Sequence, residues 1–270
     1  MTELQRVEFD ILKEFVRVCN ENGLKYFLVC GSALGSVKYG GFIPWDDDID
    51  VALPRDDYNR FVKLAPSQLA DELFLQTYET DEEYPNLYAK LRNSDTAYIE
   101  KSSANLCINH GIYIDVFPLD GYPEAKLSQF RLEFRKKLFK LKQSCSFEGN
   151  YSLKVRILRL VLRLLGTHKR TKQNVRSFER LISKYPVENS KIWCNHGNWQ
   201  GRREYAPRAQ YGNGTESVFE GLKVRVPEQY DEYLTQKYGD WKNDLPEEEK
   251  QGHHYFTVCD TERSYKSYIG

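Results

Sequence analysis

The stretch Gly31-Ser32-Ala33-Leu34-Gly35-Ser36-Val37-Lys38-Tyr39-Gly40-Gly41-Phe42-Ile43-Pro44-Trp45-Asp46-Asp47-Asp48-Ile49-Asp50-Val51 decides the fold. Just before it, the apolar run 26–30 reads as a short buried strand. Gly31-Ser32 then form a tight turn, and helical sequence follows through Lys38 until Gly40-Gly41 break it. Backbone N–H groups at such a strand-to-helix turn can hold an anion, and the Ser32 hydroxyl adds a donor. Alternate side chains of a strand share a face. In Asp48-Ile49-Asp50-Val51 the two acids therefore project together, while Ile49 and Val51 enter the core. Two carboxylates beside an anion-binding turn suit Mg²⁺, a hard cation that takes oxygen ligands and bridges to substrate phosphates.

A third acid lies downstream. In Ile112-Tyr113-Ile114-Asp115-Val116-Phe117 the aliphatic residues share one face, and Asp115 shares the other with Tyr113 and Phe117. An acid in so apolar a strand is costly unless paired or metal-bound, so Asp115 is expected to be a third ligand or a general base. Each element alone has a plainer reading: an ordinary turn, a solvated acidic loop, a partner for a core arginine. Their joint order points instead to a metal-dependent phosphotransfer centre built from Asp48, Asp50 and Asp115.

The surrounding chain supplies the frame. Leu4, Val7, Ile11, Leu12, Phe15, Val18 and Cys19 recur at helical spacing and predict a helix over 3–21. A helix is expected at 56–64 and strands at 87–91, 97–100 and 112–117. Helices then follow at 126–143, 153–165 and 171–184, with a strand at 222–226 and a helix near 228–237. The pattern reads as one α/β catalytic domain over 1–270: a core at about 24–120, a helical basic insertion at about 124–185, and a part at 190–270 packing back on the core.

Charge is balanced overall, with 39 basic and 39 acidic residues, but not locally. Segment 125–185 carries 17 Lys and Arg against Glu133, Glu148 and Glu179, a net +14, so the remainder sums to −14. That segment suits a solvated helical face, an anionic lipid surface, or an anionic glycan acceptor. Stretch 153–165, with Arg156, Arg159 and Arg163 among aliphatic residues, fits an interfacial or a buried helix. No nucleic-acid motif accompanies the charge. The six cysteines are scattered without a C-x-x-C pair, which fits a reducing compartment. No apolar h-region opens the chain, and no run approaches the ~18 apolar residues of a membrane span. A cytoplasmic protein, peripheral at most to the inner membrane face, is expected. Cys194, His196, His253, His254 and Cys259 lack the regular spacing of a structural zinc site.

The stretch quoted first closely resembles the signature of the LicD family, phosphocholine transferases of bacterial cell-surface glycans related to the fukutin proteins that transfer ribitol phosphate. The resemblance continues through Pro54-Arg55-Asp56-Asp57-Tyr58, Lys90-Leu91-Arg92, and His110-Gly111-Ile112-Tyr113-Ile114-Asp115-Val116-Phe117-Pro118-Leu119-Asp120-Gly121. It extends to Tyr238-Gly239-Asp240, Pro246-Glu247-Glu248-Glu249-Lys250 and His253-His254, covering most of the chain outside the basic insertion.

The resemblance implies a nucleotidyltransferase-like mixed sheet flanked by helices. It implies that Asp48 and Asp50 hold Mg²⁺ (or Mn²⁺), with Asp115 as the third carboxylate. It further implies a CDP-alcohol donor, typically CDP-choline, a hydroxyl acceptor on a teichoic-acid-like or lipid-linked glycan precursor, and CMP as the leaving group. Lys38, Lys90 and Arg92 become candidates for phosphate contact, though each also reads as a surface cation. Trp45, Tyr39, Tyr88 and Tyr113 are candidates to face the choline ammonium. His110 and His254 belong to the signature without a definite role. Competing functions are a true nucleotidyltransferase using an NTP, a transferase of ribitol phosphate or phosphoethanolamine, and a non-catalytic glycan- or membrane-binding module.

Overall fold

The computed structural model describes residues 1–198, 201–244, 246, 248, 250, 252 and 255–269. Helix α1 (Glu3–Glu21) starts in a capping box: Gln5 N–H donates to Thr2 Oγ1 at 3.1 Å, and Thr2 N–H donates to Gln5 Oε1 at 2.9 Å. Its stripe of Ile11, Leu12, Phe15, Val18 and Cys19 is buried. Strand β1 (Phe27–Leu28) is shorter than its apolar run, because Cys30 adopts φ +51° and already turns the chain into α2 (Cys30–Tyr39). A non-glycine residue in that region is strained by about 1–3 kcal/mol. Gly40, left-handed, ends α2.

Strand β2 (Asp50–Pro54), α3 (Arg55–Leu64), β3 (Leu73–Gln76), β4 (Ala89–Asn93), β5 (Ala97–Glu100) and β6 (Ile112–Gly121) complete the core. The sheet runs β1-β2-β6-β4-β3, with β2 and β6 parallel and the other neighbours antiparallel. All of β6 is buried, with α1 and α3 packed against it and α2 and α3 against β2. This is the expected mixed sheet flanked by helices. Two short strands, β7 (Ile192–Cys194) and β8 (Tyr205–Pro207), extend it from the far end of β6.

The basic segment forms α4 (Lys126–Gln143), α5 (Leu153–Leu164) and α6 (Thr171–Ile182). Leu87, Leu132, Phe139, Val175, Phe178 and Ile182 make its own apolar cluster. Phe139 stacks on Phe178 there, with centroids 4.7 Å apart. Arg55 fastens this unit to the sheet: both Nε and Nη2 reach the Asp120 carboxylate at 2.7 Å, and Nη1 reaches Glu179 of α6 at 3.0 Å. The remaining elements are α7 (Arg208–Tyr211), the hairpin β9 (Thr215–Phe219) and β10 (Leu222–Val226), α8 (Tyr230–Tyr238), and β11 (Phe256–Asp260), which pairs with β5. Periodicity does not mark β3, β8, β9 or β11; β3 and β8, at four and three residues, are too short to show alternation. It also set β4 two residues early, since Leu87 joins the helical cluster instead. Among the described residues no helix is long and apolar enough to cross a membrane.

Candidate active site

Parallel pairing sets Asp50 of β2 directly beside Asp115 of β6. Adjacent strands lie about 4.8 Å apart, so two carboxylates are forced into proximity. The pair is held by backbone: Asp115 N–H donates to the Ile49 carbonyl at 2.8 Å, and Val29 N–H to the Asp50 carbonyl at 3.0 Å. Asp48 precedes the strand and does not belong to it. The alternation nevertheless persists, since Ile49 is fully buried while Asp48 and Asp50 both line a cavity of about 770 Å³. The strand-borne Asp-x-Asp of the sequence is thus a loop acid followed by a strand acid.

Two further features of the acidic segment go beyond the expected triad. Carboxylate oxygens of Asp46, Asp47 and Asp48 gather within 4.8 Å of one another. Gln5 of α1 braces this turn by donating to the Asp46 carbonyl at 3.0 Å. Gly31 sits where a Cβ would lie 2.7 Å from Asp46 Oδ2, so glycine here permits close approach of the acidic turn to the start of α2. Asp46, Asp48, Asp50 and Asp115 all open on the same cavity.

Crowding shows in the electrostatics. Burial, then the neighbouring Asp48, Asp115 and Asp46 charges, push the Asp50 carboxyl well above the ordinary range. Glu8, buried on α1 beneath this cluster, is pushed up likewise by burial and by Asp48, Asp47, Asp46 and Asp115. Lys90 provides a counter-charge. Its Nζ lies 3.4 Å from Asp115 Oδ1, 3.5 Å from Glu100 Oε2 and 3.2 Å from the Tyr113 ring centroid. An all-oxygen, anionic wall of this kind fits a hard divalent cation and not a thiolate-seeking one.

Several expected contacts are relocated. Ser32 does not line the cavity; its Oγ accepts the Asp50 N–H at 2.8 Å, so it positions an acid instead of meeting phosphate. Tyr113 is buried under Lys90 and Arg92 and does not line the cavity either. His110 is remote from it: Nε2 lies 3.1 Å from the Leu106 carbonyl, the ring packs against Tyr265, and burial lowers its pKa. Arg92 lines the wall but commits Nε to Gln76 at 2.7 Å and Nη1 to the Gly111 carbonyl at 2.6 Å, which prevents a free two-oxygen fork. Lys38 lines the cavity as expected but also braces the chain after α8, bonding Asp244 at 2.8 Å and the Asn243 carbonyl at 2.9 Å. Gly31, Trp45, Tyr39 and Tyr88 do face the cavity. His254 lies outside the described residues. Cys194 and His196 come together, Sγ to Nε2 3.0 Å, whereas Cys259 is on β11, in the separate two-stranded pairing with β5.

Sequence reasoning missed Glu8, Glu100 and Cys30. Glu8 had a legible signal, because it occupies a helical stripe position four residues after Leu4 and four before Leu12. Glu100 reaches Lys90 only through the folding of β5, and the strain at Cys30 is a backbone property no side-chain pattern reveals.

A mixed sheet with paired acids on adjacent parallel strands, opening on a cavity at the start of a helix, defines a nucleotidyltransferase-type domain. Residues 23–152 match the family domain described as LicD/FKTN/FKRP, nucleotidyltransferase domain. The chain is 28% identical over 262 residues to lipopolysaccharide cholinephosphotransferase LicD of Haemophilus influenzae, covering 94% of this chain and 96% of that one. An uncharacterised protein of Rickettsia prowazekii is 26% identical over 118 residues (43% of this chain, 40% of that one). One of Rickettsia typhi is 31% identical over 58 residues (22% and 19%). Residues 23–152 thus carry a LicD-type domain, and the full-length similarity to a cholinephosphotransferase supports an enzyme of the phosphotransferase class.

Proposed function

We propose that this enzyme transfers phosphocholine from CDP-choline to a hydroxyl of a cell-surface glycan precursor and releases CMP. The observation that carries the reading is the meeting of Asp46, Asp48, Asp50 and Asp115 with Lys90 in one aromatic-lined cavity. The Haemophilus relative, a lipopolysaccharide cholinephosphotransferase by name, supports this choice of alcohol and a glycan acceptor.

Asp48, Asp50 and Asp115 would hold Mg²⁺ or Mn²⁺, with Asp46 close enough to contribute a further oxygen. Bound there, the ion would neutralise pyrophosphate charge. The chain's own residues do the rest. Asp115, oriented by Lys90, accepts the proton of the acceptor hydroxyl as its oxygen bonds to the choline-phosphate phosphorus. The P–O bond to CMP breaks, and CMP departs with the electron pair. Lys90 meets phosphate as a point charge. Trp45, Tyr39 and Tyr88 offer π-faces to a quaternary ammonium, each contact contributing about 0.5–2 kcal/mol.

The test follows two labels, choline-labelled CDP-choline and α-phosphate-labelled CTP, with Mg²⁺ and a cell-envelope glycolipid extract. Choline label should pass to the glycan fraction with stoichiometric CMP release. Transfer of the nucleotide label instead would make the protein a true nucleotidyltransferase and refute the proposal.

A further inference from the structure

Helix α5 is turned inside out. Its buried side chain is Arg159, whose guanidinium donates to the Phe147 carbonyl and lies 3.8 Å from the Tyr151 ring centroid. Arg163 donates through Nε and Nη2 to the Cys145 carbonyl at 3.1 and 2.8 Å. These arginines pin the helix to loop 145–151. The outward side carries the aliphatic residues: Leu153 is 72% exposed, Ile157 57%, Leu160 59% and Leu164 80%. Their spacing of four, three and four residues makes one continuous stripe, widened by exposed Leu158, Val161 and Leu165. On α4, Leu127, Phe130 and Phe134 are also exposed, at spacings of three and four.

A contiguous apolar face of this kind marks a contact surface. Charge identifies its occupant. No acid occurs between 153 and 165, and exposed Lys154, Arg156, Lys169 and Arg170 lie on or beside the helix. Segment 125–185 as a whole is +14, from 17 bases and three acids. A second copy docking face to face would bring a like charge against this surface and be repelled. An anionic bilayer would accept the leucines between its headgroups and attract the surrounding bases, whose long stems reach back to the phosphate plane.

We propose that the outward face of α5 docks the enzyme on an anionic lipid surface, with the helix lying in the plane of the interface. Docking needs neither nucleotide nor glycan, so it stands or falls separately from the transferase reading.

The experiment is co-sedimentation of the full chain with sucrose-loaded vesicles of phosphatidylcholine alone or mixed with phosphatidylglycerol, at low and high salt. Wild type should bind the mixed vesicles at least about tenfold better than the neutral ones, weakening with salt. Leu160→Glu/Leu164→Glu should lower that binding at least about tenfold, with thermal midpoint unchanged because both positions are exposed. Sedimentation velocity of both proteins completes the set, and both should be monomers. Three outcomes overturn the proposal: no binding to either vesicle, undiminished binding by the double variant, or a wild-type dimer that the double variant converts to monomer.

Discussion

Strand β6 and helix α5 reverse the usual distribution of side chains in opposite senses. β6 is buried throughout and carries Asp115 into the interior. α5 is exposed and turns most of its leucines to solvent while Arg159 and Arg163 bond back to the protein. In both places the arrangement costs stability, and in both the offending groups converge on a definite surface: a cavity in one, a stripe in the other. Misplaced polarity is therefore the most informative feature of this molecule, provided the geometry shows the groups acting together.

The comparison breaks most sharply at the acids. Asp50→Asn keeps shape but removes charge; activity should fall by about 10²–10⁴-fold. The thermal midpoint should rise, because repulsion from Asp48, Asp115 and Asp46 is relieved. Steady-state CMP release and calorimetry read the two effects. Retained activity with a lowered midpoint would make Asp50 a structural acid. A smaller effect is expected at Ser32. Ser32→Ala removes the acceptor of the Asp50 N–H and should cost about 1–3 kcal/mol in denaturant unfolding, with a parallel loss of activity as Asp50 loosens.

Glu8 gives the subtlest test, through pH. Its folded-state pKa is raised, so the stability it contributes is full below the unfolded carboxylate range. That contribution is lost as pH climbs from this range toward the raised value, where the unfolded chain ionises first. Wild type should therefore weaken across this window, and Glu8→Gln should flatten the slope and be the more stable protein at its upper end. Thermal melts at a series of pH values would show this, and identical slopes for the two proteins would mean that Glu8 is not the group responsible.

Much of the centre was legible from the chain alone. Ile49 and Val51 flanking Asp50, and the aliphatic residues alternating with Asp115, report strand geometry directly, and strand geometry dictates shared faces. What side-chain pattern could not convey is who meets whom. Ser32 reads as a phosphate donor until β2 is known to run past the start of α2, where Asp50 N–H takes its oxygen. Both His110 and Tyr113 sit within the signature, yet Tyr113 supports Lys90 from behind and His110 turns to the Leu106 carbonyl. Periodicity found α5 but is blind to direction: an amphipathic stripe looks the same whether its apolar side faces the protein or the solvent, and the bonds of Arg159 and Arg163 to loop 145–151 decide it.

The pairing of β5 with β11 ties the centre to the distant end of the chain. Lys90, which orients Asp115, is itself held by Glu100, and Glu100 stands opposite Phe256 in that pairing. The brace behind Asp115 is thus completed by residues 256–260, far along the chain from the acids it supports.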